Sequence, residues 1–80
     1  MKIKLLFFAE LREIFGSSRV MEVQEGSTIA EVVDILSGES SGLREKKTSW
    51  VCAINENFEP FDKKLKHQDE LALMTPMSGG

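Results

Sequence analysis

The sequence is short of the residue types that most often carry chemistry. It has 80 residues, with one cysteine, one histidine and two prolines. A lone cysteine, Cys52, allows no internal disulfide and implies no disulfide-stapled secreted scaffold. His67 is the only imidazole. It sits between Lys66 and Gln68 in a polar stretch and reads as a solvated surface residue. No ligand spacing for a metal is present, and the six glycines match neither a phosphate loop nor a dinucleotide fingerprint. Positive charge is not in excess. Ten basic against thirteen acidic side chains leave a formal charge of −3, which argues against a nucleic-acid binder. No apolar run approaches the length of a membrane span. The start, "MKIKLLFFAEL", alternates Lys with apolar residues and runs into Glu10, Arg12 and Glu13 without a small-residue cleavage site, so it reads as a strand, not a signal peptide. These absences lead us to expect a soluble cytoplasmic protein with no membrane contact and no independent catalytic centre.

What is present is a pattern of short elements, with a hydrophobic fraction of 41%, enough for one small, thin-cored domain. Residues 2–8 read as a strand, with Ile3, Leu5 and Phe7 on one face and Lys2, Lys4, Leu6 and Phe8 on the other. "AELREIFG" follows as a short helical turn with Gly16 as its C-cap. Residues 19–24 alternate again as a second strand, and Glu25-Gly26 form a turn. Thr28 and Glu31 have capping-box spacing, with Ser27 as an alternative cap. Ile29, Val32, Val33 and Leu36 then make one apolar helix face, and Gly38 is expected to end that helix. Residues 38–49 are polar and aperiodic, a solvated connection with at most one short helix. "WVCAIN" (50–55) is apolar on both sides and reads as a central strand. Asn55 to Asn57 form a turn, and Pro60 keeps "FEPF" out of the middle of a sheet. Leu65 anchors a polar connection. Residues 70–75 form the last strand, ended by Pro76. Asp69 and Glu70 read as edge charges at its start. A mixed sheet holding one main helix is the economical assembly of this order: an α+β, ubiquitin-like β-grasp over residues 1–74, with residues 75–80 as an extended tail.

Cys52 lies in an apolar strand with no histidine nearby and reads as a small core hydrophobe. The unusual chemical feature left is the end, "TPMSGG". A terminal carboxyl has a pKa near 3.5 and is ionised at neutral pH. A carboxylate is a poor electrophile, but activation by ATP to an acyl-adenylate supplies a leaving group. Such chemistry needs a thin tail reaching into another protein, and glycine permits close backbone approach. Residues 75–80 fully extended span roughly 20 Å. Beside the tail, Leu6 and Phe8 share a face with the wet Lys2 and Lys4, and Ala72 and Met74 fall on the corresponding face of the last strand. With Phe58 they are expected to form an exposed apolar patch, the mark of a partner surface.

The chain resembles the MoaD family, the small sulfur-carrying subunits of molybdopterin synthase within the MoaD/ThiS group. "KIKLLFFAELREIFG" is similar to the family's opening strand and helix, and "STIAEVVDIL" to its grasp helix. "AINENFEPFDKKLKHQDELALMTPMSGG" is similar to its closing third, the terminal Gly-Gly being the most specific piece. The chain departs from the family at two points. Gln68 stands where the family usually has Gly before the Asp-Glu pair, and Thr75-Pro76 where it usually has Pro-Pro.

The resemblance implies that an E1-like adenylating enzyme uses ATP to activate Gly80, and that a persulfide donor protein supplies the sulfur of a C-terminal thiocarboxylate. The tail would then enter the large subunit of molybdopterin synthase, in a heterotetramer, and give sulfur to cyclic pyranopterin monophosphate. Gly80 would carry the reacting carbonyl, and Gly79 would let the tail thread. Leu6, Phe8, Phe58, Ala72, Met74, Pro76, Met77 and Ser78 would meet the partner. The chain itself would bind no cofactor or metal. Carriers for thiamine, cysteine or tRNA thiolation share the tail, as do ubiquitin-like modifiers joined to lysine, and both stay open at this point.

Overall fold

The computed structural model describes residues 1–39 and 50–75. The tail residues Pro76, Met77, Ser78, Gly79 and Gly80 lie outside the described residues, as does most of the polar stretch 38–49. Among these residues the elements follow in the order β1 (Lys2–Phe7), α1 (Ala9–Phe15), β2 (Ser18–Glu22), α2 (Ile29–Glu39), β3 (Val51–Ile54), β4 (Asn57–Phe58) and β5 (Glu70–Met74). The strands form one mixed sheet in the order β2-β1-β5-β3-β4. β1 pairs antiparallel with β2 and parallel with β5, while β3 is antiparallel to both β5 and β4. This is the β-grasp arrangement. The last strand is the centre of the sheet, and the apolar 50–55 segment is interior beside it, with β4 on its outer side.

Strand parity follows the sequence pattern. Ile3, Leu5 and Phe7 are buried, as are Leu71 and Leu73 of β5. They meet Ile29, Val32, Val33 and Leu36 of α2 in one core, which Leu11, Trp50, Cys52, Ile54 and Leu65 complete. Phe7 also stacks near Phe15, with ring centroids 5.1 Å apart. The capping box closes as expected. The Glu31 amide donates to Thr28 Oγ1 at 3.3 Å, and the Thr28 amide donates to Glu31 Oε1 at 3.4 Å. Gly16 caps α1 with φ +93°, its amide donating to the Arg12 carbonyl. Gly26 takes φ +86° in the turn closed by Ser27 N–H donating to Gln24 O, a left-handed backbone suited to glycine.

Three expectations are corrected. Gly38 does not end α2, which runs on to Glu39. One interior glycine costs about 1 kcal/mol of helix propensity, less than the four buried apolar residues return. Asp69 is not an edge charge. It is 8% exposed and bonds on both carboxylate oxygens, Oδ2 accepting from the Lys66 amide at 2.7 Å and Oδ1 from Asn55 Nδ2 at 3.2 Å. Asn55 in turn accepts the Glu70 amide on Oδ1 at 3.0 Å. The reason is topological: β5 enters the sheet between two neighbours, so the polar atoms at its start are enclosed and need partners. The turn after β3 is also tighter than expected. Asn55 and Glu56 both have positive φ, as a two-residue hairpin requires, and Asn57 already pairs with Ile54 in the ladder.

Candidate functional site

Among the described residues, the sheet has one face under α2 and one without a helix. On the second face the register sets Leu6 beside Ala72, Ala72 beside Ala53, and Ala53 beside Phe58. At about 4.8 Å per strand, this apolar row crosses four strands in roughly 14 Å. The next row holds Met74 beside Val51. Phe8 lies just past the end of β1, where its amide donates to the Leu73 carbonyl at 3.1 Å. Phe8 and Phe58 are 42% and 74% exposed, while Leu6, Ala72 and Met74 are half-buried. All five predicted surface residues therefore share one face, and the last described residue, Thr75, leaves β5 at its apolar end. Ala53 and Val51 belong to the same surface. Sequence reading passed over them because only the β3–β5 register places them there.

The opposite end of this face is charged. Lys2 stands across from Glu22, and Lys4 across from Glu70, opposite-charge neighbours that suit a solvated sheet surface. His67 is exposed there and accepts the Lys2 amide on Nδ1 at 3.0 Å, which gives the imidazole a structural use. The face thus runs from charged at the start of β1 to apolar where the tail begins.

Cys52 is buried and its Sγ donates to the Glu59 carbonyl at 3.1 Å. Burial, and then the Glu59 carboxylate, push its thiol pKa up, away from the thiolate that a nucleophile needs. Among the described residues, no group of three or more His, Cys, Asp or Glu side chains is placed to hold a metal ion, and no helix is long and apolar enough to cross a membrane.

Comparison with known proteins places this geometry. The sequence profile of the ThiS family matches residues 5–80. A molybdopterin synthase sulfur carrier subunit from Arabidopsis thaliana is 35% identical over 99% of this chain and 83% of the relative. In a solved protein–protein complex of subunits 1 and 2 of the molybdopterin-converting factor from Helicobacter pylori, one chain superposes with a TM-score of 0.67 at 25% identity, over all of both chains. The small archaeal modifier protein 1 of Methanosarcina acetivorans gives a TM-score of 0.74 at 26% identity, over 99% of this chain and 96% of that one. By a profile match that spans nearly the whole sequence, and by a relative similar from end to end, this chain belongs to the ThiS family.

Proposed function

We propose that this chain is a cytoplasmic sulfur carrier for molybdenum cofactor biosynthesis. Its end-to-end similarity to sulfur carrier subunits of molybdopterin synthase carries the reading. An E1-like enzyme activates the Gly80 carboxylate with ATP, and one carboxylate oxygen departs with AMP. The terminal sulfur of a persulfide donor attacks the carbonyl and expels AMP, and a thiol then attacks the donor sulfur of the resulting acyl disulfide, forming a disulfide with the donor and leaving the thiocarboxylate on Gly80. The tail, led by Pro76, Met77, Ser78 and Gly79, then enters the large subunit. There the sulfur passes to cyclic pyranopterin monophosphate, two loaded carriers serving each dithiolene. The apolar face formed by Leu6, Phe8, Phe58, Ala72 and Met74 docks on that subunit, so the tail starts beside the interface. This division of labour fits a chain whose one thiol is buried. ATP is used by the activating partner, and this chain holds no cofactor of its own.

Intact-mass analysis tests the proposal. With the adenylating enzyme, ATP and a sulfur source, one oxygen is replaced by sulfur, and deletion of Gly80 abolishes the change. No mass change with a cognate activator, or added sulfur located on Cys52, refutes it. A second reading, attachment to lysine as a ubiquitin-like modifier, draws on the likeness to a small archaeal modifier protein. It predicts an isopeptide-linked Gly80 on target proteins in the same assay with cell extract.

A further inference from the structure

β2 lies at one edge of the sheet and, among the described residues, pairs only with β1. Met1 and Val23 exchange both backbone bonds across that pair, at 2.7 and 2.8 Å. Antiparallel pairs alternate between bonded and unbonded, so Met21 and Arg19 also turn their backbone groups toward β1. Ser18, Val20 and Glu22 turn theirs outward. All three are exposed, Val20 at 66%, and no described strand pairs with their outer side. Edges are often blunted by lysine, proline or a bulge. β2 has none of these, and its Arg19 is tied back to Glu39.

Beside that edge, between β2 and α2, lies a crevice of about 270 Å³. Val23, Val32 and Ile35 form its apolar wall, and Glu22, Ser27 and Glu31 supply polar groups. Ser27 is 7% exposed. Its amide and carbonyl are bonded to Gln24 and Leu65, while Thr28 takes the capping role on α2. The Ser27 hydroxyl has no partner among the described residues, which is unusual for a buried polar group. Glu31 spends only Oε1 on Thr28. Glu22 meets the amino terminus at 3.8 Å, and no lysine or arginine lines the crevice. Acceptors are thus in excess. An anion finds no free donor at the start of α2, whose first amides go to the Lys63 and Phe61 carbonyls and to Thr28. Among the described residues no three side chains gather as metal ligands. A lysine or arginine suits both halves of the crevice, with its stem on the apolar wall and its charged head among the oxygens.

We infer that this crevice receives a lysine or arginine from an extended segment of a partner protein, added as a strand to the open edge of β2. Strand addition takes affinity from main-chain bonds and specificity from side-chain pockets. Ser18, Val20 and Glu22 supply the main-chain partners. Side chains paired across neighbouring strands share a face, so the segment's residue opposite Val23 points toward α2 and into the crevice. The site lies on the α2 side of the sheet, opposite the apolar row of Leu6, Ala72, Ala53 and Phe58. It does not rest on the function proposed for Gly80.

The test titrates the full, isotopically labelled chain with a blocked pentapeptide of threonine and valine around a central lysine, followed by NMR. The amide signals of Val20 and Glu22 and the methyl signals of Val23, Val32 and Ile35 shift together. The same peptide with norleucine in place of lysine binds at least about tenfold more weakly. Glu31→Gln, which keeps the capping box, weakens the lysine peptide several-fold, and its melting stays close to the parent. Equal binding of the two peptides, or no shift at millimolar peptide, overturns the inference. Shifts centred on Phe8 and Met74 would assign the peptide to the apolar row and overturn it as well. So would a free chain that sediments as a dimer through Val20 and Glu22, since the edge would then serve a second copy.

Discussion

Phe7 and Phe8 are neighbours with opposite fates. Phe7 is 1% exposed and packs under α2, whereas Phe8 is 42% exposed beside the root of the tail. The inner face of the sheet is apolar because it makes the core. The outer face is apolar only at one end, and its other end carries Lys2 and Lys4. One face meets the demand of folding, and the other is the surface proposed above for association. The contrast shows that apolar residues next to each other in a strand can serve different links of the chain from sequence to function.

The sharpest way to break the contrast is to charge both positions. Phe7→Asp puts an unpaired carboxylate in the core, which exceeds what an 80-residue domain can absorb from a typical stability of about 5–15 kcal/mol. Circular dichroism should show an unfolded chain. Phe8→Asp should melt close to the parent, because the same face already solvates two lysines. Its affinity for the large subunit should drop roughly thirtyfold or more, about 2 kcal/mol. Reversed outcomes would mean that the two faces are misassigned.

Asp69 tests where the two faces meet at the entry of β5. Asp69→Ala leaves the Lys66 amide and Asn55 Nδ2 without their acceptor, at a cost of about 1–3 kcal/mol. Denaturant titration should show that loss with an unchanged slope. A loss within error would make the network dispensable.

Gln68, one residue earlier, has φ +70° at the position where family resemblance sets a glycine. A left-handed backbone costs a residue with a Cβ about 1–2 kcal/mol, partly offset because glycine loses more entropy on folding. Gln68→Gly should therefore raise stability by roughly 0.5–1 kcal/mol. A lowered melting temperature would show that the Gln68 side chain does more than tolerate its conformation.

The smallest effect sharpens the comparison at the sheet's edge. Arg19 stands beside Leu5 in the register, an inner-face position, yet β2 is an edge strand. Its guanidinium reaches out to Glu39 at the end of α2, with two bonds of 2.8 and 3.0 Å. That hydrogen bonding holds the Glu39 carboxyl below its ordinary value and raises Arg19. Both side chains are more than a third exposed, so Arg19→Ala should cost under about 1 kcal/mol. For a carboxyl whose folded pKa is lowered, the contribution is full above the unfolded pKa and is lost as pH falls through the folded one. The gap between parent and Arg19→Ala should therefore close in acid. A gap that persists there would assign the effect to packing of the arginine stem.

Much of this was legible from local pattern. Lys2 and Lys4 mark the wet face of β1, the Thr28–Glu31 spacing marks the start of α2, and the spacing of Ile29, Val32, Val33 and Leu36 marks its buried side. These signals act over a few residues, where chain geometry alone decides which side chains share a face. Asp69 was misread because its burial depends on strands far away in sequence. Gly38 was misread because a single glycine's propensity yields to packing along the helix.

By itself, the sequence determined the elements, the parity of the strands and the family, since each depends on short spacings and residue types. Only the tertiary structure decided that β5 lies at the centre and that Leu6, Ala72, Ala53 and Phe58 form one row. A period of two assigns a residue to a face. It cannot choose the neighbouring strand, which is settled by burial and hydrogen bonding among segments from opposite ends of the chain, as where the Gln68 amide donates to the Lys2 carbonyl.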